Sequence, residues 1–292
     1  MTAECASLPP GLAVNALQAK VPVVEHVQLA RDTWRIRIAA PEIARASIPG
    51  QFFMLRAPGR SDPLLGRPFA LYDTYLDGAG NVAGLDVVYL VVGKMTRVLA
   101  QLQAGDDLEL WGPLGNGFPV PECEHLVLVA GGIGQTPFLA TAREALGLRT
   151  YAQRRTRKIS KVTLCYGARS AEYLAGLDDF SSVGLNLKIA TDDGSRGHKG
   201  FVTDLLLEEI RSSTTKPHVF CCGPEPMMHA VSKLVQQHQV PAWLSMETPM
   251  ACGFGACFSC VTKIREADGE EWDYKRVCVE GPIFPAEKVI FD

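Results

Sequence analysis

From Val21 onward the chain alternates apolar and polar positions. In Thr33 to Pro41, Trp34, Ile36 and Ile38 alternate with Arg35 and Arg37, the period of a half-buried strand. Pro49-Gly50 marks a turn. Further strands are expected over Gln51 to Ala57, Leu64 to Thr74, Leu85 to Val92 and Asp107 to Pro113, with a short helix over Met95 to Gln101. Short strands separated by turn signals predict a β-barrel of roughly 100 residues. At Pro119-Val120-Pro121 the pattern changes. His125 to Gly132 is a continuous apolar run, as in a strand buried on both faces of a parallel sheet. It runs into Gly131-Gly132-Ile133-Gly134-Gln135-Thr136-Pro137 and a helix that ends near Gly147, for which Thr136 suits the N-cap and Pro137 the first position. Strands over Lys161 to Gly167, Leu185 to Thr191, His218 to Gly223 and Ala242 to Glu247 alternate with helices, among them Thr203 to Arg211 and Glu225 to Gln237. That order predicts an α/β domain on a parallel sheet. The expected division is an extension over 1–19, a barrel over 20–120, the α/β domain over 121–246 and a small C-terminal segment over 247–292.

Composition narrows the function classes. The 292 residues carry a net charge of −3, with Lys and Arg dispersed, so no broad basic face for nucleic acid is expected. The densest basic run, Arg154 to Lys158, is expected to be a solvated loop. No apolar run is long enough to span a bilayer, and the N-terminus lacks the pattern of a signal peptide. The nine cysteines are an odd number. Cys5, Cys123, Cys165, Cys221 and Cys222 lie apart from the other four, and Cys165, Cys221 and Cys222 sit in apolar strand-like runs, where free Cys acts as a small hydrophobe. That usage fits a reducing compartment, and a cytoplasmic protein is expected.

The remaining cysteines carry the sharpest chemistry. Cys252, Cys257 and Cys260 stand at C-x4-C-x2-C spacing and Cys278 follows in Arg276 to Phe284. That opening is the spacing of plant-type [2Fe–2S] sites. Structural zinc usually takes two matched short knuckles, and only Cys257 and Cys260 form one. A disulfide pair is the other alternative, but nothing in the chain suggests export. The loop Gly131 to Pro137 joins a strand to a helix, where backbone can approach a phosphate; a strand-to-helix turn with no ligand is the alternative, but such a turn needs one Gly, not three. Cys222-Gly223-Pro224-Glu225-Pro226-Met227 likewise follows an apolar strand and opens a helix, at the sheet edge where open α/β folds bind ligands. Arg67 offers a fork suited to pyrophosphate, or is simply a barrel-edge residue.

Taken in order, Arg67-Pro68-Phe69-Ala70, the Gly132 loop and Cys222 to Met227 resemble the ferredoxin–NADP reductase superfamily, whose barrel binds FAD and whose α/β domain binds a nicotinamide nucleotide. Gly112 to Phe118, Met246 to Cys260 and Arg276 to Phe284 resemble, more narrowly, the electron-transfer subunits of class 1B dihydroorotate dehydrogenase. The resemblance runs from about Val21 to Asp292. It implies FAD contacts at Arg67, Pro68, Phe69 and Ala70, where Ala70 replaces a Ser. It also implies them at Val88, Tyr89 and Leu90, with Leu90 in place of a common Arg, and at Met95 and Thr96, with Met95 in place of a Gly. It implies NAD contacts at Gly132, Gly134, Thr136, Pro137, Cys222, Gly223, Pro224 and Met227. Cys252, Cys257, Cys260 and Cys278 match the four cluster ligands.

The route implied by the resemblance runs from dihydroorotate to FMN in a catalytic partner subunit, then through the cluster and FAD of this chain to NAD+, in a heterotetramer of two copies of each chain that serves pyrimidine synthesis. A nicotinamide exchanges two electrons as hydride and the cluster carries one, so the flavin belongs between them. No dihydroorotate-binding or base motif is visible here. The nearest alternative is the small FAD/[2Fe–2S] subunit of an NAD(P)H–ferredoxin oxidoreductase, sulfur reductase or hydrogenase complex. An oxygenase reductase with a fused ferredoxin is disfavoured by the short C-terminal segment, and a non-enzymatic redox sensor or carrier would lack NADH–dye activity. Arg169-Ser170 leaves NAD against NADP open.

Overall fold

The computed structural model describes residues 13, 16–266 and 271–291; Cys5 lies outside them. The barrel is a seven-stranded antiparallel sheet in the order β4-β3-β7-β1-β2-β6-β5. Its strands are β1 (Leu17–Ala30), β2 (Thr33–Ile38), β3 (Phe52–Arg56), β4 (Arg67–Ala70), β5 (Asp73–Leu76), β6 (Val82–Leu90) and β7 (Asp107–Leu114). The Arg-Ile alternation of β2 buries Ile36 and Ile38 completely. β1 begins at Leu17, inside the expected extension, because Leu17 to Lys20 pair with Glu109 to Gly112 of β7.

The stretch 64–74 is two strands rather than one. β4 pairs with β3 and β5 with β6, at opposite ends of the sheet. Between them Leu71 N–H donates to Gln51 O and Tyr72 N–H to Asp86 O, so the chain crosses from one end of the sheet to the other there. Helix α1 (Pro41–Ala46), which was not expected, follows β2, with Pro near its start, a position that suits its missing N–H. α2 (Lys94–Leu99) precedes β7.

The second domain is a seven-stranded sheet in the order β11-β10-β9-β8-β12-β13-β16. β8 (His125–Gly131), β9 (Lys161–Ala168), β10 (Asn186–Thr191), β12 (His218–Cys222) and β13 (Ala242–Ser245) run parallel, with the short β11 (His198–Lys199) at one edge. Every residue of β8 is buried, as its unbroken apolar run requires. α3 (Phe138–Ala145), α4 (Leu177–Ser182), α5 (Val202–Ser212) and α6 (Glu225–Gln237) connect the strands.

The C-terminal segment forms a hairpin, β14 (Val261–Arg265) with β15 (Trp272–Arg276), and then joins the second sheet through β16 (Ile283–Pro285), antiparallel to β13. Sequence patterning missed β16. Asn116, just after β7, clasps it: its amide donates to Ile283 O at 2.8 Å and Glu280 O at 3.2 Å and accepts Ile283 N–H at 3.1 Å.

Ion pairs join barrel and α/β domain. Asp73 of β5, almost wholly buried, receives Arg143 of α3, Arg149 and the Tyr151 hydroxyl. Beside it Ala140 N–H of α3 donates to Tyr72 O. The start of β5, just after the flavin-motif strand β4, is thereby tied to the helix that follows the Gly132 loop. Arg154 is also structural rather than solvated. It pairs with Glu144 and donates to Phe118 O of the barrel, so the basic run is only partly a surface loop.

Candidate functional site

Two adjoining cavities lie where the domains meet. The barrel-side cavity, of about 590 Å³, is lined by Arg67, Pro68, Phe69 and Ala70 of β4, Val88, Tyr89 and Leu90 of β6, and Met95 and Thr96 of α2. All nine residues expected at FAD therefore face one space. Their environments differ. Among the described residues the Arg67 guanidinium donates only to Leu65 O and Gly66 O, leaving further donors for an anion. The Tyr89 hydroxyl is spoken for by His26 Nε2 at 2.9 Å, and burial pushes its pKa up. The Thr96 hydroxyl donates to Gly93 O and accepts the Val92 and Gly93 N–H groups. It holds the turn, so Thr96 offers the cavity something other than a free hydroxyl.

The larger cavity, of about 850 Å³, lies over the C-terminal ends of the parallel strands. It is lined by Gly132, Gly134, Gly223, Pro224 and Met227 together with Arg169, Asp192, Phe201 and Glu247. The expected N-cap does not form at Thr136. Gly132–Gln135 is a turn of 3-10 helix that runs directly into α3, and Pro137 occupies the cap position. Close packing explains part of the glycine content: a Cβ on Gly134 would strike the Cys222 carbonyl, whereas one on Gly132 would meet only open space. Thr136 and Cys222, expected at the nicotinamide nucleotide, line the barrel-side cavity, and Pro137 is in neither wall. Leu90, Val92, Ile133 and Glu247 belong to both walls, so the two spaces communicate there. Burial raises the Glu247 carboxyl above its ordinary range.

Sequence reasoning missed the third wall. Met246, Glu247, Thr248, Pro249 and Met250 line the barrel-side cavity, and Cys252 follows within the same stretch. The cluster loop rests on the barrel. Trp111 Nε1–H of β7 donates to Cys252 O at 2.9 Å, and Gly253, at φ +81°, lies so close to Met54 and Leu114 that a Cβ would collide with Met54. The thiols lie near one another, Cys257 beside Cys252 and Cys278 beside Cys260. The Cys257 thiol is lowered to about 6, chiefly by the Ser259 hydroxyl and backbone N–H. Burial and the neighbouring Cys260 raise Cys278. Among the described residues no three His, Cys, Asp or Glu side chains converge as for a single ion. Two cysteine pairs suit a two-iron cluster held by four thiolates. Cys123, Cys165, Cys221 and Cys222 are buried elsewhere.

Comparison with known proteins agrees with this layout. Residues 20–118 match the oxidoreductase FAD-binding domain, 128–233 the oxidoreductase NAD-binding domain, and 247–290 the iron–sulfur cluster binding domain of dihydroorotate dehydrogenase B. The dihydroorotate dehydrogenase B (NAD(+)) electron transfer subunit of Desulforamulus reducens is 34% identical over 279 residues, 95% of this chain and 99% of that one. This chain belongs to that family. The Clostridium acetobutylicum member is 34% identical over 271 residues, 92% of this chain and 96% of its own. A solved chain from an NADH-dependent reduced ferredoxin–NADP oxidoreductase superposes at a TM-score of 0.77 with 28% identity, covering 93% of this chain and 90% of that one. Membership supplies the cofactor set: FAD in the barrel, a nicotinamide nucleotide on the α/β sheet and an iron–sulfur cluster in the C-terminal segment. No described helix is long and apolar enough to cross a membrane.

Proposed function

We propose that this chain is the electron transfer subunit of a dihydroorotate dehydrogenase complex, passing electrons from an FMN-containing catalytic subunit through a [2Fe–2S] cluster and FAD to NAD+. The observation that carries it is the continuous cavity wall from Met246 to Met250, two residues short of Cys252. That stretch touches the larger cavity through Glu247, lines the flavin cavity and leads into the loop of the first cysteine. The bound groups supply hydride and single-electron chemistry; the chain supplies position.

In this reading Arg67 binds the FAD pyrophosphate, and Pro68, Phe69, Ala70, Val88, Tyr89, Leu90, Met95 and Thr96 shape its site. Gly132, Gly134, Gly223, Pro224 and Met227 hold the nicotinamide nucleotide. Thr136 and Cys222 stand where that nucleotide meets the flavin. Cys252 and Cys257 hold one iron, Cys260 and Cys278 the other. Trp111 and Gly253 seat the loop against the barrel, keeping water and backbone mobility out of the path. Phe254 and Phe258 remain exposed at 42% and 62%, with Arg276 stacked on Phe258, and we assign this face to the catalytic partner. The buried free cysteines suit a reducing compartment, so we place the complex, two copies of each chain, in the cytoplasm.

The FAD- and cluster-loaded chain alone should oxidise NADH with an artificial dye and should leave dihydroorotate untouched. Dihydroorotate oxidation by the isolated chain would refute the division of labour. The solved ferredoxin–NADP oxidoreductase chain, matching over 93% of this one, favours a second reading as the small subunit of a ferredoxin oxidoreductase. Identifying the co-purifying partner separates the two.

A further inference from the structure

The barrel sheet meets the cluster loop through one face. Side chains of β3 alternate, so Phe53 and Leu55 enter the barrel core while Phe52 and Met54 face the core shared with the cluster segment, which includes Cys260, Val277 and Cys278. Met54 pairs with Pro68 of β4 on one side and with Trp111 of β7 on the other. Directly paired residues share a face. One row across the sheet therefore starts in the wall of the flavin cavity, at Pro68. It ends at the two residues that touch the cluster loop: Met54, against Gly253, and Trp111, bonded to Cys252 O.

Trp111 has a further neighbour. A Cβ on Gly66 would stand 2.5 Å from Cη2 and 3.2 Å from Cζ2 of its ring, so the indole is covered by a backbone position that only glycine fits. Gly66 is buried, whereas Leu64 and Leu65 before it are exposed at 60% and 48%, so this turn rests on the barrel through the glycine. Arg67 follows, and its guanidinium donates back to Gly66 O at 3.0 Å and Leu65 O at 3.1 Å. An anion held by Arg67 therefore also holds the carbonyls of the turn that covers the indole. At its other edge the indole, a donor only, gives its single N–H to Cys252 O. Contact is continuous from Arg67 through Gly66 and Trp111 to Cys252.

We propose that Trp111 is a positioning residue that couples the two cofactor sites, so that bound FAD favours retention of the cluster and the cluster favours FAD. Both groups bias the same element. FAD on Arg67 favours the turn that keeps the ring seated. The seated ring holds the Cys252 carbonyl, and with it the placement of the first cysteine ligand. A cluster on Cys252 favours that placement from the other side. A ligand shifts such an element only by its difference in affinity for the two states. Linkage makes the effect reciprocal, so the factor by which FAD tightens the cluster is the factor by which the cluster tightens FAD. The coupling favours chains that hold both groups, and only those can relay electrons between them.

The inference rests on the reading of the barrel-side cavity as the FAD site, and the test separates the two. Two ratios are measured on the full chain. One is the FAD dissociation constant without and with the cluster, read by flavin fluorescence, the cluster-free chain being prepared by chelation. The other is the rate of iron release to a chelator without and with FAD. In wild type each ratio should be about fivefold or more, the lower end of ordinary coupling between sites. Trp111→Phe keeps a ring and removes the N–H, and should bring both ratios close to one. Gly66→Ala keeps the N–H but crowds the ring, and should lower both as well. A substitution that merely loosens the fold speeds iron release alike with and without FAD and leaves the ratio in place. Ratios near one in wild type, or wild-type ratios kept by either variant, overturn the coupling and leave the FAD site standing. A wild-type chain that takes up no FAD overturns both.

Discussion

At the residue scale, the cysteines divide by environment. Cys123, Cys165, Cys221 and Cys222 are buried, and burial raises each thiol. Cys252, Cys257 and Cys260 share one loop, and Cys278 comes to it from beyond the β14–β15 hairpin. Changing any one of these four to Ser should lower the iron and acid-labile sulfide content, while Cys165→Ser should leave both intact. Full iron content in Cys278→Ser would show that another ligand completes the cluster. Arg67→Ala should weaken FAD retention by about 1.5–3 kcal/mol, the worth of hydrogen bonds to a charged group, as read from flavin released on dilution; unchanged retention would return Arg67 to the barrel edge. These residues were readable in the sequence because spacing and charge are local properties. The partners of the Thr96 hydroxyl were not legible in the same way. Its three backbone partners are set by the turn at Gly93, and a turn's hydrogen bonds cannot be counted from residue types.

At the element scale, periodicity located the barrel strands and the five long parallel strands of the second sheet, gave no sign of β11, β14, β15 or β16, and failed where tertiary pairing decides. Leu64 to Thr74 reads as one apolar run. It is cut in two because Leu71 and Tyr72 bond to Gln51 and Asp86, residues of the two sheet ends it spans. β16 has three residues, one of them Pro285, and carries no strand signal of its own. It exists because β13 presents an edge and Asn116 holds it there. Asn116→Ala removes three hydrogen bonds and should cost roughly 2–4 kcal/mol at about 1 kcal/mol each. The cluster segment should loosen first, so cluster loss on mild heating should precede FAD loss. Simultaneous release of both would mean that Asn116 merely supports the whole fold. Thr136 failed as an N-cap for a related reason: the Gly132 turn is already helical, so the chain reaches α3 without the extended residue an N-cap needs.

At the scale of the whole molecule, a buried charge cluster far from the cofactor cavities sets the response to acid. His125 of β8 lies between Thr163, Ser213 and Glu209. Burial, with Lys161 adding to it, lowers its pKa to about 4. For Glu209 burial works toward a higher value, but hydrogen bonds from Lys161 and Lys188 outweigh it and hold the carboxylate at about 2. An unfolded His titrates near 6.5. Between the two values the unfolded chain binds more protons, so stability falls as pH drops from about 6.5 toward 4, by up to ~3 kcal/mol from His125. Glu209 acts in the same sense below the ordinary Glu range. The Tm should therefore decline steadily below neutrality, and His125→Asn should flatten the upper part of that decline; a Tm insensitive to pH over this range would contradict the assignment.

The same scale holds the central claim, that one chain carries the nucleotide, flavin and cluster in series and leaves the substrate to its partner. The most direct test is steady-state reduction of NAD+ by dihydroorotate after the proposed catalytic partner subunit is added to the cofactor-loaded chain. Activity should be absent with either chain alone, appear on mixing, and be lost again with Cys278→Ser, whose NADH–dye reaction persists. Mixing that yields no NADH, or a coupled rate that survives loss of the cluster, would contradict the account.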